Sequence, residues 1–265
     1  RAVLAARAAA NPRISPDGRT LVFEEMGGGL WVHDVERRTL ARLTEGSTVA
    51  AFPIFTQDGR AVVFRSPGAM FRQSIDGSRK LEQIPGTGPS EFPTGFTPDG
   101  SGLLYTKIMP STAGDIYLIP LAGGTPRVLL STPAYEGGAQ LSPDGRWMVY
   151  VSNGEIFLQP YPALNRRIQV SAAGGIHPIW NPKGREIFYR NGRHMMSVLV
   201  TPTPDGVALG APVERFSGSY AYGGGITIPN FAVSADGRQF FLVKEQARAS
   251  LNVVLNWFEE LKRVR

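Results

Sequence analysis

A hairpin turn, written six times with variations, constrains this chain more than any other feature. The stretches "ISPDGRTLVF" (14–23), "FTQDGRAVVF" (55–64), "FTPDGSGLLY" (96–105), "LSPDGRWMVY" (141–150), "WNPKGREIFY" (180–189) and "VSADGRQFFL" (233–242) share one plan. A Ser, Thr or Asn opens each turn, where its side chain can bond to the local backbone. Proline often presets φ at the second position, and glycine takes the positive φ that closes a type I hairpin. Large residues stand at fixed offsets from the Asp (or Lys) anchor. Ile14, Phe55, Phe96, Leu141, Trp180 and Val233 come three before it; Phe23, Phe64, Tyr105, Tyr150, Tyr189 and Leu242 come six after. Such offsets predict packing between neighbouring repeats.

The anchors Asp17, Asp58, Asp99, Asp144, Lys183 and Asp236 are spaced by 41, 41, 45, 39 and 53 residues. A period near 40 with about four strands per period predicts a β-propeller. Third strands are expected at 30–35, 70–75, 115–121, 155–161, 194–200 and 252–258, and outer strands at 39–44, 80–84, 126–130, 166–170 and 212–216. The sixth repeat lacks an outer strand, and "AVLA" (2–5) is unassigned. The expected fold is therefore all-β. It is a six-bladed β-propeller of four-stranded blades, one domain over residues 1–265, its ring closed by residues 2–5 pairing near 252–258. A frayed, alanine-rich linker over 1–9 is the other reading of that segment. "TPDG" at 203–206 imitates the turn but falls in a long connection, and reads as a decoy.

The repeated "SPDGR" unit with its following Phe or Tyr resembles the TolB-like, WD-repeat-like propellers of bacteria, over nearly the whole chain. The C-terminal "LNVVLNWFEELKR" (251–263) resembles the closing segment of propellers attached to bacterial serine/threonine protein kinases. That resemblance implies a sensor module tethered to a kinase domain, placed on the extracytoplasmic side, periplasmic or cell-surface. The chain itself has no kinase motif, neither His-Arg-Asp nor Asp-Phe-Gly.

Composition narrows the chemistry. There is no cysteine, so thiolate nucleophiles and Cys-ligated zinc are excluded. No apolar run approaches the roughly 18 residues of a membrane-spanning helix, so this segment is not expected to insert in a membrane. Five of nine aspartates belong to the repeated turns, leaving few for acid–base work or a calcium cage. No G-x-S-x-G elbow occurs. The net charge of +6 is spread around the rim, with basic pairs such as Arg37-Arg38 near outer strands, so nucleic acid is not an expected partner. The expectation is a non-catalytic propeller, with no catalytic residues, no metal and no cofactor. It binds a protein or small-molecule ligand at the loop face or channel mouth, through Glu91, Tyr135, Glu136, His177, Tyr220 and Tyr222. His33 and His194, on third strands, are expected to be packed or at the surface. The alternative is a six-bladed hydrolase or lyase with a metal in the central channel.

Overall fold

The computed structural model describes residues 9–25, 28–45, 49–221 and 228–244, and the backbone of 2–4 and 250–254. Its smallest repeated piece is the turn. In the first repeat the Ser15 hydroxyl donates to Asp17 Oδ1 (2.5 Å) and accepts the Thr20 N–H (2.9 Å), while the Arg19 N–H donates to the same Asp17 oxygen (3.0 Å). Thr56, Thr97, Ser142 and Ser234 repeat the hydroxyl–aspartate bond. In the fifth repeat Asn181 Oδ1 accepts the Lys183 N–H instead (3.1 Å). The glycine that follows each anchor has φ between +67° and +75°, where a side chain is disfavoured. The hydroxyl donor, then the backbone N–H, holds the carboxyls of Asp17, Asp58, Asp99 and Asp236 below the usual carboxylate range.

Each turn joins the first two strands of an antiparallel sheet. After β1 (Ala2–Leu4), the first sheet holds β2 (Ala9–Ile14), β3 (Thr20–Glu25), β4 (Gly29–Asp34) and β5 (Thr39–Arg42). The second holds β6 (Ala51–Phe55), β7 (Ala61–Ser66), β8 (Ala69–Ser74) and β9 (Glu82–Gln83). The third holds β10 (Glu91–Phe96), β11 (Gly102–Lys107), β12 (Asp115–Pro120) and β13 (Arg127–Leu130). The fourth holds β14 (Glu136–Leu141), β15 (Trp147–Ser152), β16 (Glu155–Pro160) and β17 (Ile168–Gln169). The fifth holds β18 (Ile176–Trp180), β19 (Glu186–Asn191), β20 (His194–Thr203), β21 (Gly206–Leu209) and β22 (Val213–Ser217). The last holds β23 (Phe231–Val233), β24 (Phe240–Lys244), β25 (Ser250–Val254) and, outermost, β1. Five sheets are thus four-stranded and one has five strands; no helix occurs among the described residues.

The second strand of each sheet is buried on both faces. Leu21 and Phe23 pack on Ala232, Phe241 and Val243 of the last sheet. Val22, between them in sequence and pointing to the opposite face, packs with Val62 and Phe64 of the second sheet. Burying such a side chain contributes roughly 1.5–3 kcal/mol, against about 1 kcal/mol net for one turn hydrogen bond. Packing between sheets, rather than the turns, therefore holds the propeller together. Phe23, Phe64, Tyr105, Tyr150, Tyr189 and Leu242, six residues past each anchor, are all buried as their spacing predicts. The set three before the anchor divides its duty. Ile14, Phe55, Phe96, Leu141 and Val233 also line the central channel, because the first strand of every sheet is the innermost.

Two expectations are corrected in detail. The closing strand begins at Ser250, two residues before the expected 252, and over Ser250–Val254 it pairs with β1 through Ala2↔Asn252 and Leu4↔Leu251; residues 255–258 lie outside the described residues. The segment 203–206 is no decoy. It is a hairpin that pairs Thr203 with Gly206 and Val200 with Leu209, adding the fifth strand to its sheet. Val207 and Leu209 pack against the apolar cluster that contains Trp180, Val198 and Val200, so the extra strand has core of its own to cover.

Deleting residues 1–8 removes β1 and unpairs the edge of β25, so the thermal unfolding midpoint should fall by several degrees; an unchanged melting curve would show that the pairing contributes nothing. Acid provides a second check. Because the turn aspartates have lowered folded pKa values, their stabilisation is complete above the unfolded value of about 3.9 and is lost as pH falls through the folded values. Replacing Asp17, Asp58, Asp99 and Asp236 together by Asn should flatten the stability loss seen below about pH 4.

Candidate functional site

Five inner strands share one irregularity. Their pairing with the second strand slips at Ala10/Arg13, Ala51/Ile54, Pro93/Gly95, Gly137/Gln140 and Ile176/Ile179. Four of the slips contain a residue at positive φ: Asn11 (+50°), Phe52 (+59°), Gly138 (+65°) and His177 (+59°). A bulge of this kind re-aims the side chains that follow it. Those side chains form the wall of a central channel of about 420 Å³. Ile14, Ile54, Phe55, Phe96, Leu141 and Val233 form the apolar part of the wall, and it opens toward the turn end, where Pro16, Pro182 and Ala235 stand.

Six polar side chains stand in this wall: Arg13, Thr94 and Gln140, and the turn residues Ser15, Thr56 and Gln57. Arg13 is its charged member. One guanidinium nitrogen donates to the carbonyls of Pro12 and Pro229 (both 2.7 Å) and, more weakly, of Phe231 (3.4 Å), which ties the first sheet to the last. Burial lowers the Arg13 pKa to about 10, so it stays cationic at neutral pH. No carboxylate among the described residues forms an ion pair with it. Thr94 is buried, and its hydroxyl has no hydrogen-bond partner among the described residues. Gln140 Oε1 accepts the backbone N–H of Trp180 (3.4 Å), which assigns the amide orientation.

The residues expected from sequence lie at or near the opposite end of the inner strands, and the structure gives most of them local duties. Glu91 is buried, accepts the Gly88 N–H (2.7 Å) and pairs with Lys107 (3.2 Å). Glu136 is buried and accepts from the N–H and hydroxyl of Thr132. Each carboxylate thus ties down the loop that leads into its own strand. His177 is fully buried at the bulge, off the channel wall. Tyr135 bridges to Gly114, whose missing side chain leaves room for its ring: a Cβ there would sit 2.7 Å from Tyr135. Tyr220 packs edge-on against Phe216 (5.9 Å), and its carbonyl accepts from the buried Arg190 (3.0 Å). Tyr222 lies outside the described residues. No contact among the described residues brings these side chains to one point. His33 is buried on β4, where desolvation lowers its pKa; His194 pairs with Glu214 at the surface (3.0 Å).

Sequence reasoning missed Arg13, Thr94 and Gln140. The signal was present, since Arg13, Ile54, Gly95 and Gln140 all stand four residues before an anchor. Reading one offset across all repeats, as for the core positions, singles out Arg13 as the lone charge.

No protein-family model matches the chain. Among solved structures, a putative TolB from Agrobacterium tumefaciens superposes with a TM-score of 0.69 at 19% identity, covering 94% of this chain and 91% of that one. The fold is a TolB-like propeller. The same architecture carries enzymes. An oligogalacturonate lyase in complex with manganese matches with a TM-score of 0.61 at 14% identity (93% and 76% covered), and a gluconolactonase from Xanthomonas campestris with 0.64 at 14% (96% and 89%). In sequence, an uncharacterized protein of Agrobacterium fabrum, Atu1656, is 24% identical over 210 residues, 75% of this chain and 68% of that protein. An uncharacterized peptidase of Bacillus subtilis, YuxL, is 29% identical over 148 residues, 54% of this chain, and the match spans about a fifth (22%) of its own length. These findings overturn the expectation of a non-catalytic chain, because the fold it was drawn from serves lyases and lactonases and because one relative is named a peptidase. A metal centre is a separate matter. Among the described residues no three His, Asp or Glu side chains gather as a metal site, and the channel wall carries a cation where such a site needs carboxylates.

Glu136 provides the check on the loop-end residues. A buried carboxylate that organises its loop should cost about 1–3 kcal/mol when replaced by Gln, which cannot accept both Thr132 donors equally well. Glu136→Gln should therefore lower the unfolding midpoint by several degrees, measured calorimetrically; a carboxylate held free for a ligand would leave it unmoved.

Proposed function

We propose that this chain is the substrate-recognising propeller of a hydrolase- or lyase-type protein, and that recognition takes place in its central channel. The observation that carries this reading is the wall itself: inner strands from around the propeller converge on it, and it includes a buried hydroxyl, that of Thr94, with no partner among the described residues. Buried polar groups are ordinarily satisfied, so an unmatched hydroxyl in a small cavity of mixed lining fits a waiting ligand. In this reading the six sheets are six blades of a single ring, one domain over residues 1–265, with the N-terminal strand as its seam. The likeness to lyase, lactonase and peptidase-named proteins supports an enzymatic setting. A peptidase whose matched part is about a fifth of its length suits a recognition part joined to chemistry elsewhere in a longer chain. A receptor setting, extracytoplasmic and joined to a kinase domain, would use the same channel. The loop face with Tyr135 and Tyr220 would then serve as a second, outer contact for a partner.

Gly95 tests the location. A Cβ built there meets nothing closer than 3.5 Å, and φ is not in the left-handed range, so a side chain can enter the channel without disturbing the strand. Binding of acetylated tripeptides, trigalacturonate and gluconolactone should be measured by calorimetry on the parent and on Gly95→Phe. Binding lost in Gly95→Phe, with the unfolding midpoint little changed, is the expected result. Binding retained there would move recognition to the loop face.

A further inference from the structure

We infer that the channel is a receptor for the C-terminal carboxylate of a peptide ending in an apolar residue, held by Arg13, Thr94 and Gln140. This rests on the channel reading above and names its ligand. Arg13 spends one guanidinium nitrogen on backbone carbonyls; its Nε and second amino group make no hydrogen bond with the described residues. A guanidinium is built to grip a carboxylate with two parallel bonds, and two donors remain for that. Arg13 is half-buried and pairs with no carboxylate among the described residues, so an incoming anion finds a cation there without a counter-charge. Thr94, whose buried hydroxyl has no partner among the described residues, and Gln140 belong to the same wall.

The remaining lining decides which carboxylate. Ile54, Phe55, Phe96, Leu141 and Val233 give an apolar surround that suits a hydrocarbon side chain beside a single charge. An acid sugar carries hydroxyls on every side, and those that face these apolar side chains would lose water without gaining a partner. At about 420 Å³ the channel is near the small end of ligand pockets, roughly 300–1,000 Å³, so it admits a chain end and not a folded partner.

The probes are acetyl-Ala-Ala-Leu as free acid, the same peptide as its amide, and trigalacturonate, each titrated calorimetrically into the 265-residue chain. The acid should bind at least tenfold more tightly than the amide and than trigalacturonate. Arg13→Met should bring the acid down to the level of the amide while leaving the amide unchanged. Because Arg13 also joins the first and last sheets, Arg13→Met can fail to fold. The double variant Thr94→Val, Gln140→Leu then carries the test, with a severalfold loss for the acid expected. Equal affinity of acid and amide, or no binding of the acid, overturns the inference, as does an acid affinity unmoved by these variants. Trigalacturonate bound in preference, and lost in Gly95→Phe, also overturns it while leaving recognition in the channel standing. Acid binding retained in Gly95→Phe defeats both.

Discussion

Every sheet in this protein needs its neighbours. A four-stranded sheet of this composition has two apolar faces, and each is covered by the next sheet along: Leu21 and Phe23 look one way to the last sheet, Val22 the other way to the second. An open stack would leave one such face bare at each end of the chain. The last sheet resolves this by taking strands from both termini, β1 on its outside and β23–β25 within. Side-by-side packing around a closed path is also what leaves a channel at the centre, so the site and the stability have one origin.

The inner strands must turn around that channel while keeping their pairing with the second strands. They do so by slipping register at the same place in five sheets, with Asn11, Phe52, Gly138 and His177 taking positive φ. The bulges are knit across sheet boundaries. The Asn11 N–H donates to Asn230 (2.6 Å), the Phe52 N–H to Glu24 (3.3 Å), and the Gly138 N–H to Thr106 (3.1 Å). Carboxylates near the loop end are consumed by such duties, as Glu91 and Glu136 are by their own loops. On the channel wall, the buried Thr94 hydroxyl has no partner among the described residues.

This division explains what could be read in advance. The turns, the buried aromatic positions and the outer strands were legible because each depends on residues close in sequence and recurs at a fixed offset. The bulges were not, since neither His177 nor Phe52 is a residue whose type announces positive φ. The 203–206 hairpin was misjudged for a similar reason. Its turn residues were plain, but whether they join paired strands depended on the core that Val207 and Leu209 meet.

By itself, the sequence determined the repeat, the hairpin chemistry, the alternation that buries both faces of each sheet, and the absence of any thiol chemistry. Tertiary structure decided which polar side chains are spent and which are spare. Glu91, Glu136 and His177 look available in the sequence, yet the first two are engaged by their loops and the third is enclosed; Arg13, Thr94 and Gln140 look ordinary and yet share the channel wall. The physical reason is that a side chain's partners are set by neighbours from other sheets, roughly 40 or more residues away, once the ring brings them together.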